Sequence, residues 1–138
     1  MDESKLDADL QNEAKGVRRC LEGLMEAYNR NDMYSLENSY SKKALMLFPG
    51  DIIKKGRTAA AAENRRSLDI AGVDIEGKGW LQYEVDQILI LKKEMAVTTI
   101  KAATWDPKGI PTSPFKGVGV FKKENGEWFL HIEIFNAA

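Results

Sequence analysis

The sequence predicts a single α+β domain in which N-terminal helices wrap a strongly bent antiparallel sheet around a pocket. Helix-period apolar stripes occupy the first half, and β-branched and aromatic runs occupy the second. Helices first and a meander of strands afterwards point to α+β, whereas a parallel α/β sheet would alternate the two. With 138 residues the chain has the length of one domain holding a continuous core, so residues 1–138 are read as one unit.

Leu6, Leu10, Ala14, Val17, Leu21, Leu24 and Tyr28 recur at alternating spacings of four and three, which places them on one stripe of a first helix. Residues up to about 12 form its frayed extension. Asn29 to Asp32 break the helix, because Asn tolerates the left-handed conformation that ends helices and Asp32 can cap the next one. Met33, Leu36, Glu37 and Tyr40 suggest a second, shorter helix.

Ala44 to Phe48 is apolar, Pro49-Gly50-Asp51 supplies a turn, and Ile52 to Lys54 reads as a short returning strand. Gly56 ends it. Thr58 is a plausible N-cap for a third helix over Ala59 to Leu68, stopped by Gly72. Trp80 to Leu91 and Met95 to Trp105 then form a long hairpin around Lys92-Lys93-Glu94. Asp106 to Pro114 reads as a loop, with Gly109 and Pro111 in a lid over the pocket mouth. Phe115 to Lys123 and Glu127 to Phe135 flank Glu124-Asn125-Gly126, whose Asn-Gly step favours a tight turn.

Composition narrows the function. Twenty basic against 21 acidic side chains leave a net charge of −1, which gives no electrostatic basis for nucleic acid binding. One cysteine rules out an internal disulfide and, with one histidine, argues against a protein-only zinc site, so no metal or cofactor is expected. Met1 to Leu10 is acidic and polar where a signal peptide needs a basic end and an apolar centre, and no apolar run reaches transmembrane length. A cytoplasmic protein that binds no membrane is expected.

The motifs "AYNRND", "NSYSKKALMLFPG", "KGRTAAAAENRRSL" and "VFKKENGEWFLHIEI", in this order and spacing, give the chain a resemblance to the nuclear-transport-factor-2-like superfamily. SnoaL-like and ketosteroid-isomerase-like members are the nearest in character. The resemblance covers the chain from about Val17 and implies a cone whose curved sheet and helices enclose an apolar cavity, with homodimers common. The same frame hosts isomerases, cyclases, dehydratases, epoxide hydrolases and non-catalytic assembly domains, so the cavity residues must decide the function. The positions that hold the catalytic carboxylate and oxyanion donors in ketosteroid isomerases align with Phe48, Leu24 and Val118, none of which carries the required group. That mechanism is therefore not expected.

In the last strand, alternation separates Trp128, Leu130, Ile132 and Ile134 from Phe129, His131, Glu133 and Phe135. The resemblance places the second set toward the cavity, and on the preceding hairpin Val97, Thr99, Lys101, Ala103 and Trp105. Lys101, His131 and Glu133 would then meet. An imidazole near neutral pKa can exchange a proton, a carboxylate can orient it, and a lysine can stabilise developing negative charge. The alternative is that these polar groups are simply solvated on the convex face.

Tyr28, Tyr40, Phe48, Asn64, Thr99, Trp105 and Phe135 complete the expected lining of substrate-binding side chains, although aromatics at such positions are often only core. Arg65 and Arg66 read as a solvated face, and the facing of Asp86 is open. Cys20 reads as a packed thiol, and Gly117 and Gly119 as marks of sheet bending. The resulting expectation is a cofactor-independent acid–base enzyme of isomerase, cyclase or dehydratase type, acting on a small apolar oxygenated metabolite through His131. Its alternative is a non-catalytic ligand-binding or oligomerisation module. A homodimer is expected, because both faces of the last strand are apolar.

Overall fold

A computed structural model describes residues 3–47, 53–70, 80–105 and 108–137. The expected stripe forms α1, Glu3–Arg30, and its residues Val17, Leu21, Leu24 and Tyr28 are buried. Asn31 ends the helix at φ 54°, the left-handed conformation that Asn accepts more easily than most residues. The Asp32 carboxylate then accepts from the Ser35 amide at 3.1 Å and the Ser35 hydroxyl at 2.7 Å, which caps α2, Met33–Asn38. These bonds hold the Asp32 pKa below its ordinary value.

Tyr40 belongs to the first strand rather than to α2. β1 spans Tyr40–Leu47 and pairs antiparallel with β2, Ile53–Lys55. α3 runs Arg57–Ile70, so Thr58 lies inside the helix and cannot cap it. Gly56 occupies the junction at φ +88°, and its carbonyl accepts the Ala60 amide at 3.0 Å. The expected stop at Gly72 lies outside the described residues.

β3, Trp80–Lys92, and β4, Met95–Trp105, form the long hairpin. β5, Pro111–Glu124, begins earlier than expected, so Pro111 is a strand residue and the lid reading does not extend to it. Gly109 does lie outside the strands, at φ +81°. β6, Glu127–Ala137, follows a turn in which Asn125 and Gly126 both have positive φ.

The strand order is β2-β1-β6-β5-β4-β3. Every pair is antiparallel except β1 with β6, so the expected antiparallel sheet carries one parallel pair and is mixed. All the elements between β1 and β6 act as the crossover that a parallel pair requires. Among the described residues, α1 packs closely on β3 and on β6, while its backbone stays farther from the intervening β4 and β5. A sheet curled around a helix produces this pattern, and register irregularities in β1, β3, β5 and β6 are where such bending is taken up. Trp128 lies so close to α1 that a Cβ on Gly16 would come within 2.7 Å of the indole. Glu13 accepts from the indole Nε1 at 3.0 Å and from Lys123 at 2.7 Å.

Candidate functional site

Simple alternation does not describe β6. Trp128 and Leu130 are buried, and so are Glu133 and Phe135, which have the opposite parity. The pairing with β5 passes from Phe121↔Leu130 to Val120↔Ile132, leaving His131 as an extra residue. Such a bulge puts two consecutive side chains on one side and reverses the phase beyond them. The expectation that Phe129, His131, Glu133 and Phe135 share a face therefore holds only for Glu133 and Phe135.

The phase expected for β4 is also reversed, since Ala96, Thr98, Ile100 and Ala102 are the buried residues. Thr98 is paired with Gly119, Gly119 with Glu133, and Glu133 with Met46, which makes one inward row across four strands. Small groups at 96, 98, 102, 117 and 119 keep the inner surface of β4 and β5 low. A Cβ on Gly117 would collide with the Ile134 carbonyl oxygen and with the ring of Phe135. Both glycines thus serve close packing on the inner face.

Glu133 is the chemical anomaly of that face. It is 0% exposed, and neither carboxyl oxygen has a hydrogen-bond partner among the described residues. Burial disfavours the charged form and pushes its pKa up to about 8. The group is therefore largely a neutral acid at pH 7, able to donate a proton where an ordinary glutamate could only accept one.

Three other expected residues gather in the interior. The hydroxyls of Tyr28 and Tyr40 are 2.6 Å apart, one donating to the other, and the Asn64 amide donates to the Tyr40 oxygen and to the Ala60 carbonyl. All three side chains are buried. Burial raises the Tyr40 pKa well above its ordinary value, and the Glu133 charge adds to the rise, so the two groups resist becoming anionic together. Burial likewise pushes the Cys20 thiol up to about 12, which makes it a packing group and a poor nucleophile. Arg65, expected in solvent, is buried and donates to the Tyr28 carbonyl at 3.1 Å; only Arg66 is exposed, beside Glu63.

The remaining expected residues lie elsewhere. Lys101 is exposed and shares the outer face with Thr99, whose hydroxyl donates to Asp86 at 3.1 Å. Both border a shallow basin of about 340 Å³ with Lys116, Val118 and Ile134. Lys101 therefore cannot meet Glu133, because the sheet separates them. His131 is half-buried on the outer side, its Nδ1 2.6 Å from Ser41 Oγ. Burial and the neighbouring Lys122 lower its pKa, with Glu124 opposing them. Trp105 is half-buried at the end of β4, opposite Trp80. Phe48 lies outside the described residues. Sequence reasoning missed Thr98, Ser41 and Arg65, and none of them carries a motif that would have singled it out.

No protein-family model matches the chain, and no curated protein does. Solved structures do. A protein of unknown function from Shewanella oneidensis, described as nuclear-transport-factor-2-like, superposes with a TM-score of 0.72 at 18% identity, covering 88% of this chain and 97% of its own. A ketosteroid-isomerase-like protein from Erwinia carotovora gives 0.66 at 17% identity, over 87% and 92%. A candidate calcium/calmodulin-dependent protein kinase type II association domain from Thiobacillus denitrificans gives 0.70 at 13% identity, over 86% and 92%. At such identities the likeness is one of backbone architecture.

Proposed function

Because this chain has the nuclear-transport-factor-2-like fold, we propose that its interior is an acid–base site in which Glu133 exchanges the proton. The observation that carries the reading is the fully buried carboxyl group without a hydrogen-bond partner among the described residues. Buried polar groups are nearly always paired, and a carboxylic acid held neutral at pH 7 is a general acid in waiting. The Tyr28–Tyr40–Asn64 chain supplies neutral donors for a substrate oxygen, and Phe121 and Phe135 supply apolar wall. The substrate class is a small, uncharged, mostly apolar molecule bearing a carbonyl or hydroxyl oxygen. The reaction is of isomerase, cyclase or dehydratase type and uses no cofactor.

The test is catalysed exchange or isomerisation across a panel of small cyclic ketones and enones, followed by NMR in heavy water. Glu133→Gln should lower the rate by roughly 10² to 10⁴, the usual share of a general acid or base. If Glu133 is the acid, turnover falls as pH rises through about 8. Equal rates in Glu133→Gln and wild type sink the proposal.

A second reading, a ligand-binding or assembly module, is favoured by the outer face, where Val118 is 39% and Ile134 is 42% exposed. The association-domain likeness supports the same reading. We take a second copy of this chain as the occupant of that face, giving a homodimer in either reading. Sedimentation at micromolar concentration should find a dimer, and a monomer there counts against it. Among the described residues no helix is long and apolar enough to cross a membrane. A cytoplasmic location is part of the proposal, resting on the single cysteine.

A further inference from the structure

We propose that His131 and Ser41 form a clasp on the outer side of the sheet that holds β6 in its bulged form and thereby turns Glu133 inward. His131 is in this view a positioning residue, and the clasp deepens the reading of Glu133 as the acid–base group. Continued alternation from the buried Leu130 would carry Ile132 and Ile134 inside and release Glu133 to the outer face. That alternative would exchange the buried Phe135 for two aliphatic side chains and would return a carboxylate to water, which removes the cost of an unpaired buried acid. Something must hold the less favourable phase.

The irregularity coincides on both sides of β6 at one residue. Toward β5 the pairing skips His131, passing from Phe121↔Leu130 to Val120↔Ile132. Toward β1 it passes from Tyr40↔Leu130 to Leu45↔Ile132, so residues 41–44 bow out opposite His131. The Leu130 amide donates to the Ser39 carbonyl at 2.9 Å and anchors the strand just before the bulge. Ser41 Oγ and His131 Nδ1, 2.6 Å apart, then join the two excursions to each other. Ser41 is 2% exposed, so water is a poor substitute for the imidazole. A slip of β6 by one residue would break this bond and leave a buried hydroxyl unsatisfied.

The test is the titration of Glu133 by carbon-detected NMR of its side-chain carboxyl in isotopically labelled full-length protein, without any substrate. Wild type should titrate at about 8, and both His131→Ala and Ser41→Ala should move toward the ordinary 4.5 as the carboxyl reaches water. His131→Asn, whose amide can replace Nδ1 toward Ser41, should restore the wild-type value. Asp32, whose carboxylate is held by Ser35 on the cap of α2 and touches neither Ser41 nor His131, should titrate alike in all four proteins, which separates a change at the clasp from general loosening. Wild-type Glu133 titration in a folded Ser41→Ala or His131→Ala protein overturns the clasp. Should both alanine variants fail to fold, a folded His131→Asn with wild-type titration supports it, and failure of all three overturns it. Because no turnover is read, an inactive Glu133→Gln with unmoved titrations would sink the clasp and spare the acid–base reading, and the converse would do the reverse.

Discussion

On the inner face of β4 to β6, Thr98 and Glu133 are buried beside Ile100, Phe121 and Phe135, whereas the outer face of the same strands exposes Val118 and Ile134 beside Lys101 and Lys116. The usual partition of polar and apolar groups is locally inverted. Most interior polar groups are bonded: Thr98 donates to the Gly119 carbonyl at 3.3 Å, and Tyr28, Tyr40 and Asn64 bond one another. Glu133 alone, among the described inner residues, keeps two carboxyl oxygens without such a bond. The difference teaches that burial of polarity is tolerated here where it is networked, and that Glu133 is the position where the fold accepts a cost.

The largest expected effect breaks this comparison at its most expensive point. The folded state holds the Glu133 proton to about pH 8 while the unfolded chain releases it near 4.5, so wild-type stability should fall as pH rises through that window. The slope is about 1.4 kcal/mol per pH unit, for a loss of up to about 5 kcal/mol, and Glu133→Gln should abolish it. Urea unfolding at pH 5 and pH 9 checks this; a wild type as pH-independent as the glutamine variant would deny that Glu133 is buried.

Tyr40→Phe, which removes the oxygen shared by Tyr28 and Asn64, should cost about 1–3 kcal/mol in the same measurement. Thr98→Val removes a single interior bond to a backbone carbonyl already in the sheet, and should cost about 1 kcal/mol. On the outer face, Ile134→Lys should leave the stability of the subunit within about 0.5 kcal/mol. Sedimentation of that variant sharpens the contrast, because a second copy seated on this face predicts a clear loss of self-association. A large loss of subunit stability would instead mean that Ile134 belongs to the core.

Much of the architecture was legible in the residues. The four-and-three spacing of α1, the Asn31-Asp32 junction and the Asn125-Gly126 turn are local signals, set by side-chain period and by backbone conformations that few residues accept. Tyr28, Tyr40, Asn64 and Glu133 followed from the resemblance, which sets their positions toward the cavity of the cone.

What the residues alone could not decide was facing. Alternation has only two phases, and nothing local to "TTIKAAT" or "LHIEIF" says which phase is inside; that depends on pairing with Phe121, Gly119 and Met46 far along the chain. The bulge at His131 is the sharpest case, since one unpaired residue reverses every side chain beyond it. Local chemistry determined which elements form and which groups can exchange a proton, while the tertiary structure decided that Glu133 lies within and that His131 and Lys101 stand on the other side, because the register of a strand is a property of its neighbours.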